Sequence, residues 1–399
     1  MNDWRQSTWG DEVTLQYGKA LRDYSDTPGR VRVFGTNGPI GWTDTPLAPG
    51  PGVILGRKGA YRGVHFSPEP FFVIDTAYFV VPRAELEMRW LYYAIIHHQL
   101  GLIDDGSPIP STTRAAVYHR TIVVPSPPEQ RAIASVLGAL DDKIEQNRRT
   151  EQALELLARA IFHAWFVDFE PVKAKAAGAT TFPSMPQTVF DALPTRFVDS
   201  EIGAVPEGWE VKALADIATF LNGLALQKYP PRDDGKDLRV VKIAELRKGS
   251  TNGADLANGD VPADYVIDDR DLLFSWSGTL EAEFWFGGKG ALNQHLFRVT
   301  PAFVPSWFCL LWIGQHLPLF RLIAASKATT MGHIKRGHLH EAKVIVPPPA
   351  VISQVDRLIG PLYDLHARLM IESRSLGAMR DYLLPKLLSG DVRVETAYG

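Results

Sequence analysis

The sequence holds a single cysteine, Cys309, among 399 residues. That excludes a disulfide framework and any cysteine-rich zinc site, and it implies a reducing compartment. No apolar run reaches about 18 residues, and the greasiest stretch, 71–81, is broken by Asp75. The first residues, MNDWRQSTWGDE, lack a basic start followed by an apolar core, so a cytoplasmic protein with no membrane partner is expected. Positive charge is not in excess either. Lys and Arg number 42 against 45 Asp and Glu, a net charge of −3. Coating nucleic acid by bulk charge is thereby excluded, whereas binding through local basic patches is not.

Catalytic signatures are equally scarce. There is no G-x-x-x-x-G-K-[ST] phosphate loop. The segment Tyr229-Pro230-Pro231-Arg232 lacks the amide or carboxylate of an amino-methyltransferase motif, and the glycine loop at 34–38 lacks a following acidic residue. Two Glu-x-Lys triplets, at Glu210 and Glu341, have no accompanying cation-binding set of the kind a metal-dependent nuclease needs. The 11 histidines show no metal-ligand spacing. No cofactor is therefore expected on this chain.

What the sequence does contain is a repeat. From Ile133, alternate steps of four and three give Ile133, Leu137, Leu140, Ile144, Asn147, Glu151, Leu154, Ala158, Ile161 and Trp165, the spacing of a coiled-coil seam. Adding 222 to each gives Val355, Ile359, Leu362, His366, Leu369, Ser373, Leu376, Arg380, Leu383 and Leu387, with no break in register. A Val/Ile run and a proline turn precede each stripe, Val123-Val124-Pro125 and Ile345-Val346-Pro347. Trp4 aligns with Trp209 and Gly18 with Gly223, and the block 76–81 aligns with 294–299. Alternating patterns and glycine turns in both halves predict short strands, with a helix near 90–100 and another near 307–325.

The expected fold is therefore α+β, with two mixed domains and two long antiparallel coiled-coil helices in a pseudo-two-fold repeat. The expected boundaries are 1–125 and 206–347 for the domains and 126–170 and 348–390 for the helices. A connector occupies 171–205 and a tail 391–399. Apolar residues beside the seam, namely Phe162, Phe166, Leu384 and Leu388, are expected to be exposed and, with Trp165 of the stripe, to receive a partner.

Cations gather at matching places. GRKGAYRG carries Arg57, Lys58 and Arg62, with no acid between Asp44 and Glu69. KATTMGHIKRGHLHEAK carries Lys327, Lys335 and Arg336 with the step Thr329-Thr330, and its counterpart PSTTRAAVYHR carries Arg114. Lys and Arg there can neutralise phosphates, with glycines allowing close backbone approach. Trp276 offers a face for stacking or an N–H for a base edge.

The motifs PPEQRAIASVLGALDDKIEQNRR, LARAIFHAWFVDFEPVKAKAAG, FPSMPQTVFDALPTRFVDSEIGAVPEGWE, NQHLFRV and MRDYLLPKLLSGDV together resemble the specificity subunit of type I restriction–modification systems. That resemblance implies two target-recognition domains, each reading half of a split duplex-DNA target. It implies helices that fix their separation and dock two modification (methyltransferase) subunits, which use S-adenosylmethionine. Two restriction subunits with ATP- and Mg2+-dependent translocase and nuclease activity would complete the complex. The chain itself would be non-catalytic. Two other readings remain open at this stage: a coiled-coil scaffold without a DNA role, and a stand-alone DNA nuclease or methyltransferase. The second helix departs from the first, because AVISQVDRL has no counterpart of Glu129 and Gln130.

Overall fold

The structure, a computed structural model, describes residues 4–104, 106, 108–326 and 332–394. The chain forms two units, Met1–Glu145 with Ser375–Gly399, and Gln146–Arg374.

Unit 1 contains β1 (Arg5–Thr8), α1 (Trp9–Glu12), β2 (Val13–Tyr17), β3 (Val31–Gly35), β4 (Gly38–Thr43), β5 (Gly52–Gly56), β6 (Val64–Ser67), β7 (Phe71–Val73) and β8 (Ala77–Pro82). Next come α2 (Met88–His97), α3 (Arg114–Tyr118) and β9 (Thr121–Val124). Its main sheet has the order β2-β8-β5-β6, and a second sheet, β4-β3-β7, includes a parallel β3–β7 pair. The strand β5, GVILG, is buried along its whole length, as a central strand should be. β1 pairs antiparallel with β9. The chain then enters α4 (Pro127–Phe162). Ser126 and Glu129 form a capping contact there, with the Ser126 Oγ and N–H both donating to Glu129 Oε2, and Pro127 and Pro128 occupy a first turn that has no need of their missing N–H groups.

Unit 2 opens on the latter part of α4 and continues through α5 (Glu170–Ala176), α6 (Gln187–Asp191) and the hairpin β10 (Phe197–Ser200) with β11 (Gly203–Pro206). It then repeats the plan of unit 1. The elements are β12 (Glu210–Ala213), α7 (Leu214–Ile217), β13 (Ala218–Asn222), β14 (Leu238–Val241), α8 (Ile243–Lys248), β15 (Leu256–Ala257), β16 (Val266–Ile267), β17 (Leu272–Ser275), β18 (Ala282–Phe284), β19 (Gly290–Leu292) and β20 (Leu296–Pro301). They end with α9 (Ser306–Ser326), α10 (Arg336–Glu341), β21 (Lys343–Val346) and α11 (Pro349–Ser389). The main sheet runs β13-β20-β17-β18, β12 pairs with β21, and β14 pairs parallel with β19. Each feature has its counterpart in unit 1.

The two long helices run antiparallel in both units. In unit 1 Arg380 bonds Asp141 at 2.8 Å. In unit 2 the buried Asn147 donates to Glu372 at 2.9 Å and Ser373 at 3.2 Å. None of the twenty stripe positions is exposed, so the 4-3 pattern marks the seam as expected.

Three expectations need correction. The first helix gives way at His163–Val167 to a π turn. Phe162, Trp165 and Phe166 are buried in the unit 2 core rather than open to a partner, and Leu384 and Leu388 pack into the unit 1 core beside Leu387. The cover for the first three comes from the stretch read as a connector, whose Val172, Val189, Phe190 and Val205 join the same core. Finally, α9 is long and apolar enough, by length and composition, to cross a membrane. Here it is a core helix, with Trp307, Phe308, Trp312 and Phe320 buried in unit 2.

Candidate nucleic-acid interface

In unit 1 the ends of three strands and one helix converge on two tyrosines. Tyr17 closes β2 and stands opposite Tyr78 of β8, which also pairs with Leu55 of β5. Arg57 follows β5 directly, and Arg114 opens α3, where the Thr113 hydroxyl caps the helix by accepting from Ala116 N–H. The Arg114 guanidinium lies 4.1 Å from the centroid of the Tyr17 ring and that of Arg57 lies 4.9 Å from it; each is 5.9 Å from Tyr78. Tyr78 is buried and donates to Thr112 O at 3.2 Å, and burial pushes its phenol above its ordinary value. Tyr17 is 47% exposed.

A ring quadrupole attracts a cation without cancelling its charge. Two arginines on one half-exposed ring therefore form a positive site; Arg57 donates to Asp75 O at 3.3 Å, and Arg114 Nε is buried without a protein partner. Lys58 is exposed beside them, its backbone held by Thr36 Oγ1 and by a bridge to Ser111.

Unit 2 presents the equivalent place with altered chemistry. Asn222 closes β13 opposite Phe297, Trp276 follows β17, and Arg336 opens α10. Backbone bonds repeat as well. Gly59 N–H donates to Pro110 O and Gly278 N–H to Gly332 O; Thr112 N–H donates to Arg57 O and Ile334 N–H to Trp276 O. The Arg336 guanidinium lies 5.7 Å from the Phe297 ring, as Arg114 lies over Tyr78. Lys335 and Arg336 are both exposed. These contacts equate Tyr78 with Phe297, one residue away from the alignment of 76–81 with 294–299.

The structure separates the sequence-derived candidates. Arg57, Lys58 and Arg114 come together, as do Lys335, Arg336 and Trp276. Arg62 does not belong to the surface: it is 9% exposed, and its guanidinium donates to Gly59 O at 2.6 Å, Gly101 O at 3.0 Å and Ile103 O at 2.9 Å. Trp276 cannot read a base edge, because its N–H donates to Asn222 Oδ1 at 2.7 Å and Gln294 O at 3.1 Å. Lys327, Thr329 and Thr330 lie outside the described residues. Tyr17 and Asn222 were missed. Their one sequence signal is their place before the aligned Gly18 and Gly223.

Comparison with known proteins agrees with this geometry. The type I restriction modification DNA specificity domain matches residues 206–356, within unit 2. The MjaIX specificity subunit of Methanocaldococcus jannaschii, a type I restriction enzyme subunit, is 26% identical over 79% of this chain and 72% of its own. The HindI specificity subunit of Haemophilus influenzae is 23% identical over 93% and 90%. Residues 206–356 thus match a type I restriction–modification DNA specificity domain, and most of the chain is similar to type I restriction enzyme specificity subunits. The fold agrees: the S subunit of such a system from M. genitalium superposes with a TM-score of 0.61 at 14% identity, covering 97% of this chain and 96% of that one. The domain match falls on the half where the basic cluster lies on α10, and the repeat extends the same plan to unit 1.

Proposed function

We propose that this chain is a type I specificity subunit that reads duplex DNA without catalysing a reaction, each unit recognising one half of a bipartite target. The observation that carries this reading is the recurrence of one site at one place in both repeats: an arginine opening a short helix, over an aromatic of the central strand. Arg57, Lys58 and Arg114 in unit 1, and Lys335 and Arg336 in unit 2, neutralise phosphates and set the register. Neighbouring loops reach base edges. The differing occupants, Tyr17 with Arg57 against Asn222 with Trp276, suit two different half-sequences.

The partners follow from the same reading. Two modification subunits supply S-adenosylmethionine and methylate adenine, and two restriction subunits use ATP and Mg2+. Exposed apolar residues on the long helices favour such docking, namely Leu156 and Leu157 in unit 2 and Met379 and Tyr382 in unit 1. They replace the buried Phe162, Trp165, Phe166, Leu384 and Leu388 in that role.

The test is mapping of methylated adenines in host DNA with this subunit present, absent, or altered. Arg336→Ala is expected to weaken methylation at the target without creating a new one. Unchanged methylation in the absence of the subunit overturns the proposal.

A further inference from the structure

We propose that unit 1 carries an apolar wedge, Tyr61 with Leu102, that stacks into an opened base step of duplex DNA. This deepens the DNA-reading proposal and rests on it. The side chains are 79% and 69% exposed. Large apolar groups held out in water on rigid loops mark a contact surface.

The rigidity comes from Arg62. Its three donor bonds join the loop that carries Tyr61, through Gly59 O, to the loop that carries Leu102, through Gly101 O and Ile103 O. Thr112 adds bonds to Leu100 O and Ile103 O from the loop that leads into α3. Gly101 permits the approach, since a Cβ there would lie 2.5 Å from Arg62 O. A guanidinium spent on carbonyls does no work toward phosphate; it fixes what stands beside it.

Charge selects the occupant. The loop of Tyr61 carries Arg57 and Lys58 with no acidic residue between Asp44 and Glu69, whereas Asp104 and Asp105 follow Leu102, so the positive charge lies on the Tyr61 side of the wedge. Polyanionic duplex DNA matches that surface better than a neutral protein face. Apolar side chains flanked by cations are what proteins insert between base steps.

Among the described residues, unit 2 lacks the arginine that holds this device. Leu55 pairs with Val64 and Phe274 with Ala282, so the unit 2 loop is one residue shorter and places Leu280 where Arg62 stands. Leu280 is buried, and its carbonyl accepts from Arg321 of α9. The wedge is assigned to the half-site read by unit 1. That half-site should contain a pyrimidine–purine step, the kind that opens most readily.

The experiment uses this chain assembled with its modification subunit and the mapped target duplex, with 2-aminopurine placed at successive positions of the half-site read by unit 1. The wild type is expected to raise fluorescence at one step. Tyr61→Ala with Leu102→Ala is expected to abolish the rise and weaken binding roughly tenfold to a hundredfold. Tyr61→Phe keeps both signals. Specific binding by the wild type, with fluorescence and affinity unchanged in the double variant, overturns the wedge alone. Loss of assembly in place of DNA binding makes the pair a protein contact and also overturns it. If the wild type shows no preference for the mapped target, the DNA-reading proposal fails and the wedge falls with it.

Discussion

Lys58 and Arg62 lie four residues apart in one glycine-rich loop, yet their removal should have opposite signatures. Arg62→Met keeps an apolar stem and deletes three charge-assisted bonds. Ile103 O keeps the Thr112 hydroxyl as a donor, whereas Gly59 O and Gly101 O lose their arginine. Two lost bonds to a charged donor cost about 3 kcal/mol. For a unit of this size, each kcal/mol moves Tm by about 2–4 °C, so a fall of roughly 6–12 °C in the unit 1 transition is expected. Its salt dependence should not change. Lys58→Ala should leave Tm within about 1 °C and flatten the slope of log affinity against log salt by about 0.9. Between 50 and 200 mM salt that amounts to a factor of about three to four per phosphate contact. Differential scanning calorimetry and salt-titrated DNA binding on the same preparations decide the matter. If Arg62→Met kept its Tm and flattened the slope, the buried assignment would be refuted.

Phe166 packs against Trp209, Trp307 and Phe308, so Phe166→Ala should destabilise unit 2 by about 3–5 kcal/mol in denaturant titration; intact stability with lost partner binding would restore it as a docking residue. Burial raises the Glu151 carboxyl above its ordinary value. A raised acid contributes stability below its unfolded value that is lost as pH rises through the folded one, so Glu151→Gln should raise the denaturation midpoint at pH 8 and leave it unchanged at pH 4. A Cβ on Gly18 would lie 2.0 Å from Ile74 O, and one on Gly223 2.3 Å from Asn293 O. Alanine at either should yield protein cut rapidly in limited proteolysis, and native-like resistance would count against the equivalence of the two edges.

The repeat was legible because a 3.5-residue period, sustained over ten positions behind a proline turn, admits one register. The strands gave less purchase. Their period of two carries no marker, and a one-residue slip in an apolar block still looks apolar, which is how Tyr78 came to be aligned beside Phe297's neighbour. Burial of a charge is also invisible in composition: Arg62 and Lys58 read alike until carbonyls from a loop forty residues away close around one of them. Phe162, Trp165 and Phe166 announced an apolar face but not its cover, because the covering segment 171–205 has no period of its own. Tyr17 carries no charge and so gave no signal until Arg57 and Arg114 were found on its ring.

Unit 1 is assembled from the first part of the chain and Ser375–Gly399, with all of Gln146–Arg374 between them. Its core needs Leu387 and Leu388 against Ile133 and Leu137, and Arg393 reaches Glu129, which also holds Trp4. During synthesis the first-made segment must therefore wait for the last. At about 5–20 residues per second the delay is roughly ten to fifty seconds, during which that apolar seam stands uncovered. Unit 2 is continuous and closes on itself meanwhile. The order of completion thus runs against the order of translation, and a frameshift or early stop within residues 375–394 would leave the N-terminal unit, rather than the C-terminal one, unfinished.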